Sequence, residues 1–131
     1  MPTIRKFEDL EMWQKARILS SKVYDVTFKK PICDDFRLKD QIRGSVGSIM
    51  DNIAEGFDRS SRLEFINSLG IAKGETGELK SQLYRALDVK YISQDIFNEL
   101  YSLADELTKM ITSFITYLNQ SLIKGQKFKG R

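Results

Sequence analysis

The side chains able to do chemistry here are few in kind. The 131 residues contain 21 Lys/Arg, 18 Asp/Glu, one Cys and no His. Without histidine, the ExxH di-metal site of helical bundles, the Ser-His-Asp triad and the imidazole general base all drop out. Carboxylates alone could hold Mg²⁺, but no DxD or other tight acidic cluster suggests it. Gly70-x-x-x-Gly74 is followed by no Gly-Lys-Ser/Thr, so no phosphate loop is present. Arg17, Arg43, Arg59 and Arg85 could clamp an anionic substrate only by converging on one pocket, and they fall on differing helical faces. The expectation is a non-enzymatic protein with no catalytic residue, no cofactor and no metal.

Two rows of polar and small residues stand out by their spacing. Gln41, Ser45, Ser48, Asn52, Glu55 and Arg59 recur at steps of four and three, which places them along one helix face. An ordinary solvated face is one reading. The other is a hydrogen-bonded seam, in which Asn52 and Glu55 tie this helix to a neighbouring helix or subunit. Gly70, Gly74, Gly77 and Ser81 form a second row. Each interior glycine costs about 1 kcal/mol relative to alanine. Close approach by another helix, shared with Gly44 and Gly47, is the simplest offset; a flexible hinge is the alternative.

The elements that position these rows are helical. Both prolines, Pro2 and Pro31, lie in the first quarter, so nothing after residue 31 forbids helix. Apolar periodicity predicts helices over about 9–29, 36–58, 62–90 and 94–123. Met12, Ala16, Leu19, Val23 and Val26 make the first stripe, and Pro31 ends that helix. Asp34 or Asp35 can cap the second, Ser61 with Glu64 reads as a capping box for the third, and Ser93 caps the fourth. Short connections make the fold all-α, an antiparallel up-down-up-down four-helix bundle.

The fourth helix is apolar on two rows. One contains Ile96, Leu100, Leu103, Leu107, Met110, Phe114 and Tyr117; the other contains Phe97, Tyr101, Ala104, Thr108, Ile111, Ile115, Leu118 and Leu122. A bundle helix needs one stripe for its own core. The surplus points to a subunit interface, with broad burial inside the monomer as the alternative.

Net charge is +3, and its distribution matters more than its total. Segment 124–131, read as a basic flexible tail, carries Lys124, Lys127, Lys129 and Arg131 with no acid. Setting these four aside with Arg5 and Lys6 leaves 15 basic against 18 acidic residues. Phe128 sits between Lys127 and Lys129, an aromatic able to stack on a base. Lys124, Lys127, Phe128, Lys129 and Arg131 are therefore the candidate nucleic-acid contacts; plain solvation of a charged terminus is the alternative. No run of 18 apolar residues suggests a membrane span. Met1–Lys6 lacks the apolar run of a secretion signal, and a lone Cys33 fits a reducing, cytoplasmic setting.

Several stretches together resemble a known family. Phe7-Glu8-Asp9-Leu10 with Trp13-Gln14-Lys15-Ala16 is similar to its opening motif. Ser48-Ile49 and Asn52-Ile53-Ala54-Glu55-Gly56-Phe57 are similar to its most distinctive block. Glu64-Phe65, Leu69, Ile71-Ala72, Glu78-Leu79 and Gln82-Leu83 complete the match. The family is the four-helix-bundle proteins encoded by intervening sequences of bacterial 23S ribosomal RNA genes, and the resemblance covers about residues 7–120. It implies a ring-like homo-oligomer, a pentamer, with no catalytic residue. It also implies kinship with accessory proteins of diversity-generating retroelements, thought to bind nucleic acid and a reverse transcriptase. Asn52, Glu55, Gly56, Phe57, Glu64 and Phe65, within these matched stretches, are expected to be a structural or interaction motif. Gly44-Ser45-Val46-Gly47 departs from the usual Arg-Ala/Ser-rich segment, leaving Arg43 as the one base there.

The functional expectation is a non-enzymatic oligomeric binding or scaffold protein with RNA or DNA as ligand. The alternative is a protein–protein adaptor without nucleic-acid affinity.

Overall fold

The computed structural model describes residues 3–124, with side chains as far as Gln120. Four helices account for most of them: α1 (Glu11–Thr27), α2 (Phe36–Asp58), α3 (Arg62–Asp88) and α4 (Gln94–Lys124). Among the described residues there is no strand. Short 3₁₀ turns at Phe7–Asp9 and Ile32–Asp34 precede α1 and α2.

The ends of the helices follow their local chemistry. Asp9, expected to open α1, belongs instead to the preceding 3₁₀ turn. Its carboxylate folds back to accept the amides of Arg5 (3.0 Å) and Lys6 (3.2 Å). These backbone hydrogen bonds, Arg5's first, hold its pKa below the ordinary value. α1 stops at Thr27, short of the expected Lys29, and the chain turns through a cis Lys30–Pro31 bond. Asp35 rather than Asp34 caps α2, accepting from the Leu38 amide at 3.1 Å. Ser61 accepts the Glu64 amide at 3.4 Å, but the Glu64 carboxylate bonds Arg59 instead of completing the capping box. Ser93 caps α4 through the Ile96 amide at 3.1 Å.

Apolar faces close on one core. Leu19, Ile42, Ile49, Ile53, Leu69, Leu79, Leu83, Leu100, Leu107 and Ile111 are at most 2 % exposed. Burying a side chain of this kind contributes about 1.5–3 kcal/mol, which is why the periodic stripes dictate the arrangement. α1 packs on α2 and α4, and α3 packs on the same two. Pairings run in reverse order along neighbouring helices. Lys15 meets Glu106 while Lys22 meets Glu99, and Thr76 meets Thr108 while Lys80 meets Asp105. Thr76 is fully buried, and its hydroxyl donates to the Lys73 carbonyl while accepting from Thr108, so the core keeps its polar pair satisfied.

Both rows of α4 are used within the chain. Phe97, Leu100, Ala104, Leu107, Ile111 and Leu118 are buried, while Ile96, Leu103, Met110 and Phe114 are half-buried. Much of the surplus read from the sequence is thus absorbed by broad burial inside the monomer.

The α3 terminus carries a local strain. Tyr91 donates its amide to the Ala86 carbonyl and Lys90 to Leu87, both at 2.9 Å, which is the Schellman pattern. That pattern puts Lys90 at φ 65°, in the left-handed region glycine favours. Lys90→Gly should raise unfolding stability by about 1 kcal/mol, read as a higher denaturant midpoint with unchanged helix content.

Candidate functional site

The six motif residues from the sequence split into three jobs. Gly56, Phe57 and Phe65 form the junction of α2 and α3. A Cβ built on Gly56 would lie 2.5 Å from the Ser68 Cβ and 3.1 Å from a Phe65 ring carbon. Only glycine permits that approach. Phe65 then meets Phe57 edge-on at 5.8 Å and Phe114 of α4 at 5.6 Å, joining three helices through aromatic contacts.

Glu55 and Glu64 serve the turn between α2 and α3. Arg59 bonds Glu64 at 2.9 Å and lies 3.7 Å from Glu55, and both pairs are exposed. The Glu64 hydrogen bond is the main reason the Arg59 pKa rises above its ordinary value. Exposed pairs of this type contribute little to stability.

Asn52 has the third job, within its own helix. Its amide donates to the Ser48 carbonyl (2.8 Å) and to the Ser48 hydroxyl (3.1 Å). Of the two readings of this row, a seam in which Asn52 and Glu55 tie α2 to a neighbouring helix is not formed within this chain. Asn52 is satisfied one turn back, and Glu55 is exposed.

The glycine row also needs correction. A Cβ added at Gly44, Gly47, Gly70, Gly74 or Gly77 would meet nothing within 4 Å. None of them admits a neighbouring helix of this chain; Gly56, outside that row, does.

The residues of α2 that do cross to α3 lie nearer its start. Gln41 accepts from Arg85 at 3.0 Å, and the Ser45 hydroxyl donates to Glu78 at 3.5 Å. They line a cleft of about 450 Å³ that also contains Glu75 and Gln82. Burial first, and then the negative charge of Glu78, push the Glu75 carboxyl above its ordinary pKa, with the Ser45 hydroxyl acting the other way. Sequence reasoning takes the α2 wall for part of a seam and passes over the α3 wall. The signal is present: 75, 78, 82 and 85 are spaced three, four and three, and all four are polar or charged.

The four arginines considered as an anion clamp lie apart. Arg17 stacks over Trp13 at 5.9 Å. Arg43 packs against the rings of both Tyr24 and Phe28 and donates to the Thr27 hydroxyl at 2.9 Å. Arg59 bonds Glu64, and Arg85 bonds Gln41. Among the described residues no group of His, Cys, Asp and Glu is placed to hold a metal, and no helix is long and apolar enough to cross a membrane. The side chains of Lys124, Lys127, Phe128, Lys129 and Arg131 fall outside the described residues.

An aromatic junction, a glycine contact and a surface clasp, with the helices closed on one core, define a small all-α protein of four helices. The chain belongs to the 23S rRNA-intervening sequence protein family, whose model matches residues 8–113. It is also similar to a crystal structure of a protein of unknown function from the S23 ribosomal protein family, from Bacteroides thetaiotaomicron VPI-5482. That similarity has a TM-score of 0.75 at 26 % identity, covering 80 % of this chain and 95 % of the other. No functionally curated protein matches the chain.

The junction makes a direct prediction. Gly56→Ala should cost about 1–3 kcal/mol, because the added methyl drives α2 off α3. Ser68→Gly should recover part of that loss in the double variant, an energetic coupling that equilibrium urea unfolding would read.

Proposed function

We propose that the protein is a non-enzymatic, self-assembling scaffold that binds nucleic acid. The reversed order of pairings along neighbouring helices supports an up-down-up-down antiparallel bundle as its protomer. The observation that carries self-assembly is on α4. Ile96, Leu103, Met110 and Tyr117 stand seven residues apart, the first three half-buried and Tyr117 42 % exposed. Ile18 of α1, 49 % exposed, lines a shallow groove together with Met110. A heptad stripe left partly uncovered suits helix packing against a second copy. The ring-like pentamer implied by the family resemblance is the assembly proposed, in a cytoplasmic setting.

Nucleic-acid binding rests on the charge arithmetic. The whole chain is +3, and removing the four bases of residues 124–131 leaves −1. RNA or DNA is the ligand, and the basic segment supplies much of the affinity.

A second reading, a protein–protein adaptor without nucleic-acid affinity, is favoured by the α2–α3 surface. There Leu63 is 61 % and Ile71 54 % exposed, beside glycines against which nothing packs.

Two measurements separate these readings. Light scattering at micromolar concentration should give several times the mass of one chain, and Leu103→Glu with Met110→Glu should reduce it to one chain while helix content persists. A single-chain mass for the parent protein overturns self-assembly. Binding of single-stranded RNA should weaken with salt. A version ending at Ile123 should show a shallower slope of log affinity against log salt, by about 0.7 for each phosphate it no longer neutralises. Equal slopes would move the site onto the bundle, and no binding by either version would favour the adaptor.

A further inference from the structure

Three aromatic side chains stand out from the α1–α2 side of the bundle. Phe28 and Phe36 are each 68 % exposed, and Tyr24 is 39 % exposed. A single exposed ring carries no meaning by itself. These three share their surface with cations. On α1, residues 13, 17, 24 and 28 are spaced four, seven and four; on α2, residues 36, 39 and 43 are spaced three and four. Each set therefore runs along one helix face. Arg43 joins the two faces, its guanidinium 4.5 Å from the Tyr24 ring centre and 4.6 Å from that of Phe28. Lys39 stands 4.6 Å over the Phe36 ring, and Arg17 stands 5.9 Å over Trp13. Rings and cations are thus interleaved over about 22 Å of α1 and about 10 Å of α2.

A second observation concerns what these cations lack. Lys15 and Lys22, elsewhere on α1, are paired with Glu106 and Glu99, and Lys80, Lys109 and Arg59 also have carboxylate partners. Arg17, Lys39 and Arg43 belong to no ion pair among the described residues. Lys29 and Arg37, next in sequence to Phe28 and Phe36, are exposed and equally without a carboxylate partner. No acid occupies either set of positions. Arg43 is a brace rather than a ligand contact: its Nη2 is shielded from solvent, and its Nε is held by Thr27. Arg17 is exposed and Lys39 half-buried, so both can reach an anion. The surface combines open rings with positive charge that the chain itself leaves uncompensated.

We propose that the α1–α2 face binds a single strand of nucleic acid, with bases stacked on Phe28 and Phe36 and phosphates held by Arg17 and Lys39. A docking protein helix would ask for a continuous apolar ridge, whereas here cations separate the rings. A single strand offers the matching order, a flat base and a phosphate in every nucleotide. The inference rests on the nucleic-acid reading and adds to it a site on the bundle that selects unpaired bases.

Oligouridine of about 12 nucleotides, the size of one stacking site, and a ribose-phosphate strand of equal length without bases are titrated against the full chain. Oligouridine should bind about tenfold more tightly or better, because only it can stack. Phe28→Leu combined with Phe36→Leu keeps apolar bulk but removes the flat rings. That variant should lose most of the preference for bases while its dependence on salt is unchanged. Arg17→Gln combined with Lys39→Gln should do the reverse, keeping the preference while the slope of log affinity against log salt becomes shallower by about 0.7 per lost phosphate contact. Helix content should be unchanged in both variants. Equal binding of the two strands, or a preference that survives in the Leu variant, would overturn the face and leave the nucleic-acid reading on the basic segment. An unchanged slope in the Gln variant would overturn the phosphate contacts and with them the proposal. Polyglutamate of equal charge binding as tightly as oligouridine would make the face a dock for acidic protein, which also overturns it. No binding of either strand by the parent protein would overturn this face and the nucleic-acid reading together.

Discussion

The contact on which the rest of the bundle depends is the approach of α2 to α3 at Gly56 and Ser68. A methyl group on Gly56 would sit 2.5 Å from the Ser68 Cβ, closer than two carbons can come. Because the backbones meet there, Phe57 and Phe65 are brought edge to face, and Phe65 reaches Phe114 on α4. Farther along, α2 and α3 are bridged by longer side chains, Ser45 to Glu78 and then Gln41 to Arg85. The cleft lies in that bridged stretch. A tight junction at one point and a polar opening at the other are two aspects of the same packing.

Helix identity and the core stripes are legible because burial enforces period. Leu38, Ile42, Val46, Ile49, Ile53 and Phe57 read as one face, and all six are buried. Sequence and structure part where a short-range interaction outcompetes the periodic one. Asp9 resembles a helix start, yet its carboxylate finds two amides in the residues before it. Glu64 sits at the capping-box position, but Arg59 is a stronger partner than a backbone amide. Glycine spacing misleads for a different reason. Regular spacing says that residues share a face, not what lies opposite, and the glycine that touches its neighbour stands outside the row. The α3 wall of the cleft escapes because a partly buried polar face has the same sequence pattern as a wet one.

The two faces considered for partners differ in chemistry. The α4 stripe is apolar, flanked by the Lys15–Glu106 and Lys22–Glu99 pairs. The α2–α3 cleft is small and polar, with its charge in Glu75, Glu78 and Arg85. Surfaces so unlike do not compete for the same partner. The membership of the family leaves open how either face is used.

Asp35 has a consequence for how the molecule opens. One of its oxygens accepts the Leu38 amide at the head of α2, and the other accepts the Tyr91 hydroxyl from the α3–α4 connection at 3.0 Å. That hydrogen bond is the chief reason the Tyr91 hydroxyl titrates above its ordinary range. Two connections distant in the chain are thus latched by a single carboxylate. They form one cooperative unit, so a fluctuation that releases the first turn of α2 also unfastens the loop before α4. The α2–α3 turn at the opposite end has the exposed Arg59 clasp and, beside it, the Gly56–Phe65 junction. Breathing should therefore be shared between loops at one end of the bundle and confined to a single turn at the other.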